Sequence, residues 1–281
     1  MNSADFSADL EPFEKYFSGL LKSKVSPPSQ DLGRFWETME YSLFGGGKRF
    51  RPLLSLLTAK ALGEDPSLVH PLAAAIEMIH SYSLIHDDLP CLDNDDERRG
   101  RATSHKVYGE DMALLAGDGL QSLAFYILAN GYGDHPRLGQ IIEQVAFSAG
   151  PQGMVGGQVL DMLADQSLVD EKGLEQIHRL KTGALIRASV SVAGEVCMTT
   201  SEEQAQLIEF GEVLGLAFQV ADDIEDYGDG EDSKNFVLLL GLHETMLWLR
   251  ELSERALSLL EGLRGDPVGL KALVEFNRDR V

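Results

Sequence analysis

An apolar helical run, LAAAIEMIHSYSLI (72–85), ends almost directly in a dense patch of carboxylates: Asp87, Asp88, Asp93, Asp95, Asp96 and Glu97. Arg98, Arg99 and Arg101 follow at once. An apolar run of this length must bury itself, so the charged groups belong at the end of a core helix, facing solvent or a cavity. Alone, the patch reads as a solvated acidic loop. A second copy downstream overturns that reading. LGLAFQVADDIEDYGD (214–229) is again an apolar helical run ending in paired aspartates, Asp222 and Asp223, with Asp226 four residues past the first.

Positions i and i+4 share a helix face, so Asp222 and Asp226 can hold one metal between them. Asp87 and Asp93 are six apart, about 120° out of line on an ideal helix. Pro90 breaks the regular hydrogen-bond ladder between them, and local distortion is expected to bring Asp93 back towards Asp87. An all-oxygen donor set suits Mg²⁺, which takes one or two carboxylates and leaves its other positions to water and phosphate oxygens. Mn²⁺ fits the same cage. Arginine beside it supplies planar forks for phosphate. The two motifs are expected to form two walls of one metal–diphosphate site.

The net charge of −21 argues against nucleic acid or an anionic membrane surface as partner. It suits a diphosphate substrate only if metal ions and a local basic cluster reverse the sign inside the site. Lys48, Arg49, Arg51, Arg98, Arg99 and Lys181 are the candidates for that cluster. No window approaches 18 uninterrupted apolar residues, so no membrane span is expected. The N-terminal stretch lacks the features of a signal peptide, and two cysteines, Cys91 and Cys197, are too few for a disulfide framework. A reducing cytoplasm is the expected compartment.

The chain reads as helical almost throughout: 9–22 (ended by Pro27-Pro28), 31–44, a helix beginning near Pro52, and 67–88 with Leu68, Leu72, Ile76, Ile79 and Ile85 on related faces. Further helices are expected at 110–129, apolar on nearly every side and deeply buried, and at 138–149, 151–164, 172–198, 202–227, 236–264 and 267–277. The one candidate strand, Phe236 to Leu240, reads equally as buried helix. The fold class is all-α, a helix bundle, and with no internal break in composition one domain is expected over residues 1–281.

Six motifs in order resemble the short-chain trans-polyprenyl diphosphate synthases, the farnesyl and geranylgeranyl diphosphate synthase type of bacteria and plastids. They are GGGKRFRP (45–52), EMIHSYSLIHDDLPCLDNDDERRG (77–100), LLAGDGLQ (114–121), GGQVLD (156–161), HRLKTGALI (178–186) and FQVADDIED (218–226). The resemblance implies the isoprenoid-synthase bundle with a central cavity, and a homodimer. It implies that Asp87, Asp93, Asp222 and Asp226 hold the metals. It implies that Lys48, Arg51 and His80, helped by Arg99, bind the diphosphate of isopentenyl diphosphate. Arg98 and Lys181, with Thr182 and Gln219 nearby, would grip the allylic diphosphate, with Lys234 matching a later family lysine. Gln158 and Asp161 would line the cavity.

Bare of the resemblance, His80 in an apolar helix reads as a satisfied core histidine, and Lys181 as an exposed lysine. The apolar neighbours of Lys181 mean that an inward position would demand an anionic partner. His86 could orient a carboxylate and is assigned no catalytic role. Tyr82, five residues before Asp87 and so about 7.5 Å down the helix, is either a core tyrosine or the floor of a hydrocarbon pocket. By resemblance, an aromatic there stops elongation early, whereas NDDERRG (94–100) and SHKVYGED (104–111) resemble synthases of longer chains. Farnesyl diphosphate is the expected product, with geranyl or geranylgeranyl diphosphate as alternatives.

No Ser-His-Asp set, no Cys-His pair with supporting context and no Walker or dinucleotide loop is present, and none is needed if the task is the one the resemblance implies, pulling a diphosphate off an allylic carbon with metal assistance. The resemblance implies that the released diphosphate accepts the final proton. One departure is YGDGEDSKNF (227–236), shorter than the family's loop after the second motif and lacking its Gly-Lys pair; Glu97, where an apolar residue is usual, is another. Two rival readings are a terpene cyclase, which DDIED in place of an Asn/Ser/Glu motif disfavours, and a non-catalytic partner subunit, which the retention of both motifs disfavours.

Overall fold

Glycine, proline and capping residues cut the chain into helices much where periodicity places them. The computed structural model describes residues 6–23, 29–164, 169–227 and 234–281. The helices are α1 (Ser7–Ser23), α2 (Gly33–Leu43), α3 (Phe50–Ala61), α4 (His70–Asp87), α5 (Ser104–Tyr108), α6 (Glu110–Gly131) and α7 (Leu138–Ala149). They continue with α8 (Met154–Ala164), α9 (Glu171–His178), α10 (Ala184–Val196), α11 (Ser201–Glu225), α12 (Phe236–Leu240), α13 (Leu242–Leu259) and α14 (Val268–Asp279). The fold is all-α. The expected stop at Pro27-Pro28 and most of the 227–236 segment lie outside the described residues.

Four expectations are corrected. A two-residue hairpin, β1 (Glu97–Arg98) against β2 (Arg101–Ala102), follows the first acidic motif. Its turn places Arg99 and Gly100 at φ 55° and 72°, the left-handed pair that matches strand twist and that alternation cannot signal in so short a segment. The expected 172–198 helix carries a π-helical turn at Arg179–Gly183 between α9 and α10. The expected 236–264 helix is broken at Gly241, φ 89°, into α12 and α13, so Phe236–Leu240 is helix and not strand. Leu68 precedes α4 in a short 3₁₀ turn and is exposed, while Val69 beside it is buried.

The chain divides into two compact units, one of Ser7–Leu53 and His70–Leu138, the other of Leu54–Val69 and Gly139–Val281. In the first, α4 is the axis. Leu72, Ile76 and Ile79 are fully buried and Ile85 nearly so, with α6, α2 and α1 packed around the helix. The α6 helix is less enclosed than its sequence suggests: Leu114, Leu115 and Tyr126 are about half exposed. The segment Pro66–Asp87 and α6 are each long and apolar enough to cross a membrane by length and composition, but the most apolar window of Pro66–Asp87 is 67% buried within the protein, as a core helix would be. In the second unit, α11 packs against α10 and α13, and Leu207, Phe210 and Leu214 of α11 and Val190 of α10 are fully buried. Its start is fixed by a reciprocal capping box, in which Thr200 accepts from the Glu203 N–H and Glu203 accepts from the Thr200 N–H.

Candidate active site

The helix α4 stops at Asp87 because Pro90 cannot continue the ladder, and the chain turns back on itself. The Asp93 N–H donates to the Asp87 carbonyl at 2.9 Å, and the Asn94 N–H to the Leu89 carbonyl at 3.2 Å. This closed loop returns Asp93 to Asp87 as the proline predicts. Asp88, beside them, is turned inward: its buried carboxylate accepts from Arg98 Nε at 2.6 Å. Burial pushes the Asp88 carboxyl up, and Arg98 pulls it partly back. Arg98 reaches Asp95 as well, at 3.3 Å. His86 Nε2 bonds the Leu114 carbonyl at 3.1 Å and so ties α4 to α6.

Arg49, Arg98, Arg99, Arg101 and His80 line a cavity in this same unit. The glycine loop before Lys48 passes through left-handed backbone at Gly46 and Gly47, φ 105° and 119°, and Arg99 Nη1 donates to the Gly46 carbonyl at 2.8 Å. Burial first, then the positive fields of Arg51, Arg99, Arg98 and Arg49, hold the His80 imidazole well below its ordinary pKa. The histidine is therefore neutral at pH 7 and offers a hydrogen bond rather than a charge. Arg101 lies over the Tyr41 ring, 4.2 Å from its centroid, a favourable cation–π geometry. Lys48 is exposed and Arg51 half-buried. Arg49 differs from the open basic cluster expected of it: it is buried and ion-paired with Glu77 and Glu14.

Tyr82 is 5% exposed and its ring meets His86 edge-on, centroids 5.7 Å apart. Its buried hydroxyl lies near Gln121 without completing a well-aligned hydrogen bond. Burial raises the phenol's pKa, Gln121 lowers it, and Asp87 raises it further.

The second unit carries the other motif. The Asp226 N–H donates to the Asp222 carbonyl at 2.9 Å, the i→i+4 relation that puts both on one face. Asp222 accepts from Gln219 Nε2 at 2.8 Å and from Arg280, which also pairs with Glu225. Burial raises the Asp222 carboxyl, with Arg280 opposing and Asp226 and Glu225 adding to the rise. Asp223, like Asp88, is the inward member of its pair. It accepts from the Phe236 N–H at 2.7 Å, and its carbonyl accepts from Asn235 Nδ2 at 2.7 Å, pinning the start of α12.

That pin delivers Lys234. Its Nζ lies 2.6 Å from Asp161 Oδ1, and Lys181 Nζ lies 2.5 Å from Oδ2 of the same carboxylate. Burial raises the Asp161 carboxyl, but the two ammonium groups prevail and hold it below its ordinary value. Lys181 sits in the π-helical turn, and α8 approaches it at Gly157, where a Cβ would fall 2.1 Å from the Lys181 backbone nitrogen. Thr182 and Gln158 are half-buried.

Sequence reasoning missed Arg280 and His178, and took Asp161 only as lining. His178 Nδ1 bonds Gln219 Oε1 at 3.0 Å, behind Asp222. The HRLKTGALI motif carried a signal for His178, at the three-residue helical spacing from Lys181. Arg280 had none, lying in no motif. Among the described residues, no three His, Cys, Asp or Glu side chains converge closely enough to cage a metal unaided. The oxygen-only donors of Asp87 with Asp93, and of Asp222 with Asp226, fit a hard cation that draws its remaining ligands from water and phosphate.

Helix ends bearing carboxylate pairs held by arginines, with two lysines gathered on the separate carboxylate of Asp161, define an all-α protein equipped to handle diphosphate anions. Comparison with known proteins is more particular. The family model described as polyprenyl synthetase matches residues 34–236. A farnesyl diphosphate synthase of Geobacillus stearothermophilus is 49% identical over 201 residues, 70% of this chain and 67% of that protein. The large subunit 1 of a heterodimeric chloroplastic geranylgeranyl pyrophosphate synthase from Arabidopsis thaliana is 37% identical, covering 98% of this chain and 79% of that protein. Among solved structures, a synthase from Zymomonas mobilis described as FPP/GFPP superposes with a TM-score of 0.90 at 34% identity, over 96% of this chain and 98% of that one. The chain belongs to the polyprenyl synthetase family and is a prenyltransferase.

Proposed function

We propose that the protein condenses isopentenyl diphosphate with dimethylallyl or geranyl diphosphate to give farnesyl diphosphate. The observation that carries this reading is the pairing of Lys181 and Lys234 on Asp161, in the same unit as the carboxylate face of Asp222 and Asp226. Two ammonium groups held ready on one carboxylate suit a polyanion able to displace it. The farnesyl diphosphate synthase relative supports fifteen carbons, and the geranylgeranyl relative keeps twenty as the alternative.

In this reading Asp87 and Asp93 in one unit, and Asp222 and Asp226 in the other, would hold Mg²⁺, which would supply Lewis-acid neutralisation of the diphosphate as it leaves with the C–O bonding pair. Arg98, Lys181 and Lys234 grip that leaving group, with Gln219 orienting Asp222. Lys48, Arg51, neutral His80 and Arg99 hold the second diphosphate, so that the isopentenyl double bond meets the allylic carbon. The π electrons form the new C–C bond, and the proton lost from the isopentenyl unit passes to the released diphosphate. Apolar walls exclude water that would otherwise capture the cation, and Tyr82 limits the growing tail.

We further propose that both units form one synthase domain, supported by a family match running through both. The half-exposed Leu114, Leu115 and Tyr126 of α6 support a homodimer, and two unpaired thiols, Cys91 and Cys197, support the cytoplasm. The deciding experiment is turnover of the purified protein with Mg²⁺, isopentenyl diphosphate and each allylic primer, with chromatography of the products. Fifteen-carbon product supports the reading. Cyclised product, or no turnover without an added synthase, replaces it with one of the rival functions.

A further inference from the structure

The basic loop contains one arginine that does not face outward. Arg49 stands between exposed Lys48 and half-buried Arg51, yet only 8% of its side chain is exposed. Its Nη1 donates to Glu77 on α4 at 2.7 Å, its Nε to Glu14 on α1 at 2.8 Å, and its Nη2 to the carbonyl of Leu43, the last residue of α2, at 2.7 Å. The guanidinium also lies 5.5 Å from the centroid of the Phe17 ring. Its own carbonyl accepts the first helical hydrogen bond of α3, from the Leu53 N–H at 2.9 Å. One side chain thus ties the entry of α3 to three other helices.

Two features argue that this serves more than cohesion. A buried ion pair is a poor source of net stability, because desolvation offsets most of its attraction and apolar replacements often do as well. Glu77, 4% exposed within the apolar α4, is an expensive place for a carboxylate. Arg49 also adopts φ 48°, a left-handed conformation that disfavours a residue with a Cβ. Strain of this kind persists where surrounding contacts over-determine it, and it gathers at functional sites.

Glu77 and His80 lie one helical turn apart on α4, whereas Lys48 and Arg51 flank Arg49 in the loop. The Arg49–Glu77 pair therefore fixes the distance between the two elements that carry these cations and this imidazole. We propose that Arg49 and Glu77 are positioning residues for the isopentenyl diphosphate subsite, setting Lys48 and Arg51 against His80 without themselves carrying the anion. This rests on the prenyl-transfer reading above.

The test is Glu77→Gln, which keeps the shape and removes the charge. Binding of isopentenyl diphosphate is measured by calorimetry with a chelator present, so that no metal-bridged diphosphate contributes, and KM is measured for each substrate. The expected result is at least a tenfold loss of isopentenyl diphosphate affinity and a matching rise in its KM. The allylic KM and kcat should stay within about threefold. Ile127→Ala, a core change on α6, controls for loss of stability. Should Glu77→Gln fail to fold, Glu14→Gln removes the more exposed partner and should shift the same KM in the same direction, by less. Parallel changes in both KM values, no change in either, or the same selective shift in Ile127→Ala overturn the proposal. A wild-type protein with no turnover overturns instead the functional reading on which it rests.

Discussion

Replacing Tyr82 by alanine tests product length against simple core packing. The ring is 5% exposed and packs on His86, so its removal leaves a cavity on the axial helix of its unit. Large aromatic-to-alanine changes at such sites cost about 3–5 kcal/mol. A five-carbon extension of an apolar tail that fills the same space recovers about 4 kcal/mol, at about 0.8 kcal/mol per buried carbon. The two magnitudes are comparable, so a longer product offsets the cavity it occupies. Tyr82→Ala should melt lower than wild type yet shift its products by at least one five-carbon unit towards longer chains. The companion Tyr82→Phe removes only a hydroxyl that completes no well-aligned hydrogen bond, and should change neither stability nor product by much. Chromatography of dephosphorylated products, with thermal melts as the folding control, decides the matter. An unchanged distribution from a folded Tyr82→Ala protein refutes the reasoning and makes Tyr82 ordinary core.

Asp87→Ala and Asp222→Ala should each reduce turnover by orders of magnitude in enzyme stripped with EDTA and restored with Mg²⁺; near-native rates would exclude the two-motif metal reading. Asp222→Ala should leave the fold intact and the melting temperature near that of wild type, because burial outweighs Arg280 at this carboxyl and Arg280 keeps Glu225 as a charged partner. Arg51→Ala should raise KM for isopentenyl diphosphate more than for the allylic substrate and Lys181→Ala the reverse, with equal effects on both substrates counting against separate anchors. His80 is held below its ordinary pKa when folded, so the unfolded chain binds the extra proton. That contribution to stability is present above pH about 6.5 and lost as pH falls below it towards the folded value. His80→Gln should therefore flatten the acid side of a melting-temperature profile between pH 7.5 and 5.5, and a profile unchanged by the substitution would show that His80 does not titrate in this way.

Helical periodicity and the two aspartate motifs were legible because both depend on spacing within one element. The distortion at Pro90 was legible for the same reason, and the Asp93–Asp87 hydrogen bond is its consequence. The contacts that join distant segments were not. Nothing in the order of residues announces that Asp161 bridges Lys181 and Lys234, since the three lie 20 and 53 residues apart along the chain. Nor does it show that Arg280 reaches Asp222, or that Arg49 turns inward while its neighbours do not. The hairpin and the π-helical turn were missed because a two-residue strand and one wide helical turn leave no period to detect.

The paired aspartates divide their labour in the same way in both motifs. The first of each pair, Asp87 or Asp222, accepts at its backbone carbonyl from the N–H of a later aspartate of its motif, Asp93 or Asp226, which keeps the two residues of each motif near one another. The second, Asp88 or Asp223, is buried and spends its oxygens on protein donors: the Arg98 guanidinium in one case, the Phe236 N–H in the other. Those bonds place a cation. Asp88 holds Arg98 beside its motif, and Asp223 anchors the segment that brings Lys234 to Asp161. On the proposed function, a pair of adjacent aspartates would thus supply one group for metal chemistry and one for positioning the cation beside it. A strongly acidic chain can therefore present locally positive, precisely oriented groups to a diphosphate without a basic surface elsewhere.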